Sequence, residues 1–119
     1  MDYSKIPEGA DYQTIHKYLV AFMNEKEEIE KKYSLIYALE QLSIIAEQHS
    51  YYSVDRSMEI QLSDYLINVI NMKNYEIMDI VLFIVVNMSL KRVMDFLLKN
   101  IEEASSEVKE MIVESYEEM

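Results

Sequence analysis

Carboxylates dominate the residues of this chain that can do chemistry, and they crowd toward its end. Glu102, Glu103, Glu107, Glu110, Glu114, Glu117 and Glu118 fall within the last 18 residues, against one cation, Lys109. Glu107, Glu110 and Glu114 stand at i, i+3 and i+7, so a helix presents them on one face. Such a face is either a solvated exterior, a patch that meets Lys and Arg of a partner, or an imitation of a phosphate backbone. Salt separates these cases, because a complex steered by charge weakens as ionic strength rises. Glu107 would also complement a helix N-terminus.

Catalytic groups are scarce. The two histidines are His16, expected at the boundary of a helix, and His49, expected in a loop. A helical metal pair needs Glu-x-x-His spacing, and Glu47-x-His49 is one residue short of it. Cysteine is absent, which removes disulfides, thiolate chemistry and cysteine zinc sites. One glycine, Gly9, cannot build a glycine-rich phosphate loop. The expectation is therefore no enzyme, no catalytic residues, no metal and no cofactor.

The elements that position these groups must be helices. After Pro7 and Gly9 the chain has neither residue type again, whereas a sheet protein needs such turn residues at short intervals. Met, Leu, Glu, Lys and Gln are plentiful, and they lose little rotamer freedom in a helix. The class is all-α, and 119 residues with half of them apolar read as one domain, 1–119, with a single core. The start, Met1-Asp2-Tyr3-Ser4-Lys5, has no apolar stretch, and the most apolar run, 77–88, falls short of the roughly 20 residues that span a bilayer. A cytoplasmic protein is expected. Richness in Ile, Lys, Asn, Tyr and Glu with little Ala, Gly or Arg points to an AT-rich genome, as of a low-GC bacterium or phage.

Periodicity divides the chain into six helices. Asp11 caps a first helix with Ile15, Tyr18, Leu19, Phe22 and Met23 inward. Asn24 reads as a turn, and a second helix follows from about 25 to 48 with Ile29, Tyr33, Ile36, Leu39 and Leu42 inward. Residues 49–54 break the period as a loop. The third helix, about 55–72, buries Met58, Leu62, Tyr65, Leu66 and Val69. Asn74 caps the fourth, 75–88, which is apolar nearly all round and must be central. Ser89 caps the fifth (Leu90, Val93, Met94, Leu97, Ile101), and Ser105 or Ser106 caps the sixth (Val108, Met111, Ile112, Tyr116). Short connections favour antiparallel neighbours.

The chain also aligns with itself at an offset of 31 residues. Asp64-Tyr65-Leu66-Ile67 falls on Asp95-Phe96-Leu97-Leu98, Glu76-Ile77 on Glu107-Val108, and Ile80-Val81 on Met111-Ile112. Tyr18-Leu19-Val20 supplies an earlier copy, so the repeats run roughly 11–48, 55–88 and 89–119. Periods of this length mark stacked supersecondary units. Ser106-Glu107-Val108-Lys109 and Tyr75-Glu76-Ile77-Met78 resemble the start of one helix in HEAT-like repeats, although the turn proline and most small packing residues are missing. The resemblance implies three antiparallel helix pairs in an α-solenoid; the alternative is a compact helical bundle.

Eleven basic against 22 acidic side chains give a net charge of −11. That balance opposes nucleic acid and anionic membranes and speeds encounter with a basic protein. Small acidic HEAT-like proteins resemble the immunity proteins of bacterial polymorphic toxin systems, which implies a cognate toxin domain as partner. A phage-encoded inhibitor such as an anti-CRISPR protein, or a regulatory or adaptor subunit, is the alternative, and a homo-oligomer is compatible with either. The candidate contact residues are Glu103, Glu107 and Glu110 with the loop pair Tyr51 and Tyr52, since tyrosine is enriched in contact hot spots. A second candidate surface lies on the third and fifth helices at Ile60, Asp64, Ile67 and Asp95. The remaining tyrosines and methionines mostly fall on apolar stripes, as core.

Overall fold

The computed structural model describes residues 1–49 and 53–119. Six α-helices lie among them: α1 (Tyr12–Lys32), α2 (Leu35–Gln48), α3 (Arg56–Val69), α4 (Tyr75–Met88), α5 (Lys91–Lys99) and α6 (Ser106–Glu118), with short 3-10 turns at Tyr3–Lys5 and Ile101–Glu103. No strand occurs among the described residues, and the all-α class holds.

Side chains start five of the six helices. The first-turn N–H groups of a helix lack internal partners, and a short polar side chain at the N-cap accepts from one of them, worth about 1 kcal/mol. Asp11 accepts from Thr14 N at 2.8 Å, Ser34 from Tyr37 N at 3.0 Å, Asp55 from Met58 N at 2.9 Å, Asn74 from Ile77 N at 3.1 Å and Ser105 from Val108 N at 3.4 Å. Asp11, Asn74 and Ser105 are the caps read from the sequence.

Three boundaries differ from that reading. Asn24 is no turn: it is exposed in the middle of α1, where an asparagine costs only a few tenths of a kcal/mol. The break falls at Tyr33-Ser34, where the Ser34 hydroxyl offers a cap, so Tyr33 leaves the core and is 56% exposed. The third helix stops at Val69, because Asn71 turns the chain by accepting from Lys73 N at 3.2 Å. Ser89 does not cap α5. It ends α4 in the left-handed region at φ 54°, ψ 47°, with Ser89 N donating to Val86 O and Leu90 N to Val85 O, the Schellman pattern. α5 starts at buried Leu90 with no side-chain cap.

The helices form two layers. α4 packs between α2 and α6, while α5 lies against α3, α4 and α6. α1 packs on α2 and reaches α3 through Phe22, whose ring meets the Tyr65 ring edge-on at 6.0 Å. One layer is thus α2–α4–α6 and the other α1–α3–α5. The shortest molecular dimension, 23 Å, matches two helix layers about 10 Å apart. Leu35, Ile77 and Glu103 line one hollow, and Ser105 N donates to Met72 O at 3.4 Å. The starts of α2, α4 and α6 therefore share one end, and these three helices run parallel.

The core fills the space between the layers. Leu19 and Phe22 of α1, Leu39, Leu42 and Ile45 of α2, Leu62 and Leu66 of α3, Met78, Val81 and Ile84 of α4, Leu97 of α5 and Ile112 of α6 are all sealed from solvent. α4 is central, yet not buried on every side: Phe83 is 43% exposed. Tyr116, expected inward on α6, is exposed as well.

Candidate functional site: the acidic helix layer

Charge is divided between the two layers. α2, α4 and α6 carry nine carboxylates (Glu40, Glu47, Glu76, Asp79, Glu107, Glu110, Glu114, Glu117 and Glu118) against one cation, Lys109. All nine carboxylates are exposed. α1, α3 and α5 carry seven carboxylates against eight cations and are almost neutral. Most of the net charge therefore sits on one layer of three parallel helices.

Helical spacing organises that layer. On α4, Glu76, Asp79, Phe83 and Asn87 stand at i, i+3, i+7 and i+11, so they form one stripe. On α6, Glu107, Met111, Glu114 and Glu118 stand at i, i+4, i+7 and i+11 and form a second stripe. The two stripes meet in a groove of about 230 Å³, lined by Asp79, Leu82, Phe83, Val86, Asn87, Met111, Glu114, Ser115 and Glu118. Its floor is apolar and carboxylates stand on both walls. Asn87 Nδ2 donates to Phe83 O at 2.8 Å, which ties that side chain to its own helix. A groove of this kind accepts an apolar side chain flanked by cations. Sequence reading placed Glu114 and Glu118 in the C-terminal acidic cluster but missed Asp79 and Phe83; the signal was the single acid Asp79 inside the apolar run 77–88, one turn from Glu76.

The candidates from the sequence fall in several places. Glu107 and Glu110 are exposed on α6, within the acidic layer. Glu103 is exposed at the end where α2, α4 and α6 begin, in a hollow with Leu35, Val69 and Ile77. Ile60 and Asp64 are exposed on α3, in the other layer, and Ile67 is half-buried against the core. Asp64 accepts from Arg92 of α5 at 3.2 Å, so its charge is matched there. Asp95 is exposed on α5 and lines a hollow with Tyr116, Glu117 and Met119 at the α5–α6 edge. Tyr51 and Tyr52 lie outside the described residues.

His49 is not a loop residue. It caps the end of α2 and is 1% exposed, with its ring edge-on to Tyr12 at 6.1 Å. Tyr12 also stacks on His16 at 5.7 Å, and His16 lies 3.7 Å from Asp55. One tyrosine thus gathers both histidines. Among the described residues no group of three or more His, Asp or Glu is placed to hold a metal ion, and no described helix is long and apolar enough to cross a membrane.

Compared with protein families, curated proteins and solved structures, the chain finds no match in any of the three.

Proposed function

We propose that this protein is a binding module, not an enzyme, and that it engages a basic protein through the α2–α4–α6 face. The observation that carries this is the segregation of charge: nine exposed carboxylates on one layer beside a nearly neutral one. Solubility alone asks for no such division, since net charge acts for that purpose wherever it sits. The groove between α4 and α6 adds apolar contact at Phe83 and Met111, and apolar contact inside a polar rim is the usual anatomy of a protein interface. Following the resemblance to immunity proteins, the partner is a toxin domain with a cationic surface, and the protein neutralises it by occupying that surface.

The test is affinity capture from extracts of the source organism, with mass spectrometry of what is retained. A basic protein held by the native chain, and released by the combined variant Asp79→Asn, Glu114→Gln, Glu118→Gln, is the expected result. An acidic partner, or a partner retained equally by the variant, contradicts it. Competition separates the alternative of a phage-encoded inhibitor: there, nucleic acid displaces this chain from its target.

A further inference from the structure

A cleft opens at the α1–α2 corner, away from the acidic groove. It measures about 560 Å³ and is lined by Asp2, Tyr3, Glu25, Glu28, Tyr33 and Tyr37 among others. Tyr33 and Tyr37 are 56% and 38% exposed, and their rings lie 4.4 Å apart at 34°. Lys32 Nζ sits over the Tyr33 ring at 5.5 Å. Glu28 and Lys32 stand at i and i+4 with the acid first, the favourable order for a helical ion pair. They form none: the lysine lies on the ring instead, and Glu28 has no hydrogen-bond or ion-pair partner among the described residues. Asp2 accepts from Ser4, and Glu25 accepts from the Tyr3 hydroxyl and pairs with the Met1 ammonium at 3.4 Å, so both carboxylates are committed. The cleft therefore holds an aromatic surface already bearing a cation and, beside it, one unengaged carboxylate.

We infer that this cleft receives an arginine side chain of the basic partner, stacked on the Tyr33–Tyr37 pair with its N–H edge on Glu28. The inference rests on the basic-partner reading for its biological meaning, while its chemistry stands on the cleft. A guanidinium suits the site better than an ammonium. It is planar and weakly hydrated, stacks on aromatic faces, and presents two parallel N–H donors to one carboxylate. Lys32 holds the aromatic face until the arginine displaces it.

The full chain, labelled with ¹⁵N, is titrated with the blocked tripeptide Ac-Ala-Arg-Ala-NH₂ and with its lysine and citrulline counterparts. Arginine should shift amides of 25–41 and bind more tightly than lysine, and uncharged citrulline should leave them unmoved. Glu28→Gln should abolish the arginine preference. Lys32→Gln should tighten arginine binding by about two- to fivefold, the equivalent of one exposed cation–π contact, whereas Lys31→Gln, with the same loss of charge outside the cleft, should not. Equal shifts by arginine and citrulline, shifts centred on Asp79 and Glu114, or equal effects of the two lysine variants would overturn the inference. Because the probe is a peptide, failure here leaves the proposed partner contact on α4 and α6 standing, and failure of that contact leaves this result intact.

Discussion

Tyr65 of α3 donates its hydroxyl proton to Glu30 of α1 at 2.9 Å, with Lys26 Nζ 5.5 Å from the Tyr65 ring centre. This contact ties two helices of the nearly neutral layer. Burial, and then the Glu30 carboxylate, push the Tyr65 hydroxyl well above the ordinary tyrosine value; burial and Glu25 do the same to Tyr3. A raised value in the folded state means the folded chain keeps a proton that the unfolded chain gives up near pH 10. The stabilisation is full below about pH 10 and is lost as pH rises beyond it. Melting at pH 8 and at pH 10.5 should reveal this alkaline loss, and Tyr65→Phe should lessen it. An identical alkaline slope in Tyr65→Phe would mean the hydroxyl is hydrated in the folded state.

Ser89 holds a left-handed conformation that costs an L-residue roughly 1–2 kcal/mol and glycine almost nothing. Ser89→Gly should stabilise the chain by about 0.5–1 kcal/mol, and Ser89→Val should destabilise it. Urea denaturation with an unchanged slope reads both effects directly.

Neighbouring residues on α4 should behave in opposite ways. Ile84 is sealed in the core, and Ile84→Ala should cost about 2–5 kcal/mol through lost burial and the cavity left behind. Phe83 projects into the groove, so Phe83→Ala should cost about 1 kcal/mol or less in stability while speeding dissociation of the partner complex. Similar stability losses at both positions would place Phe83 in the core.

The last turn of α6 carries Glu117 and Glu118 and no base, against the negative end of the helix dipole. Glu118→Lys should raise stability by about 0.3–1 kcal/mol at low ionic strength and weaken partner binding. A gain in stability with binding unchanged would make these acids simple surface charges.

The legible parts of this fold were those written in a single helix. Ile15, Leu19 and Phe22 repeat at helical spacing and are buried, and Asn74 stands three residues before the apolar run 77–88 and caps the helix that carries it. Boundaries set by competition between equals were not legible. Asn24 and Ser34 are both residue types that break helices; the chain stays helical through Asn24, and the Ser34 hydroxyl caps the next helix. Ser89 has the composition of an N-cap, and its role follows from its φ, which no residue type specifies. The acids of α6 were visible as a cluster in sequence. Their partners on α4 come from 31 residues earlier in the chain, so the groove appears only once the two helices lie side by side.

The acidic layer makes its most direct prediction about rate. Once the basic partner is in hand, its association rate constant is measured at low and at physiological salt, for the native chain and for Asp79→Asn, Glu114→Gln, Glu118→Gln combined. The native rate should fall steeply with salt, and the variant should associate about fivefold more slowly at low salt with a flatter dependence, within the roughly 10–10³ range of electrostatic steering. Equal rates and equal salt slopes for the two proteins would contradict an acidic α2–α4–α6 face as the surface that meets the partner.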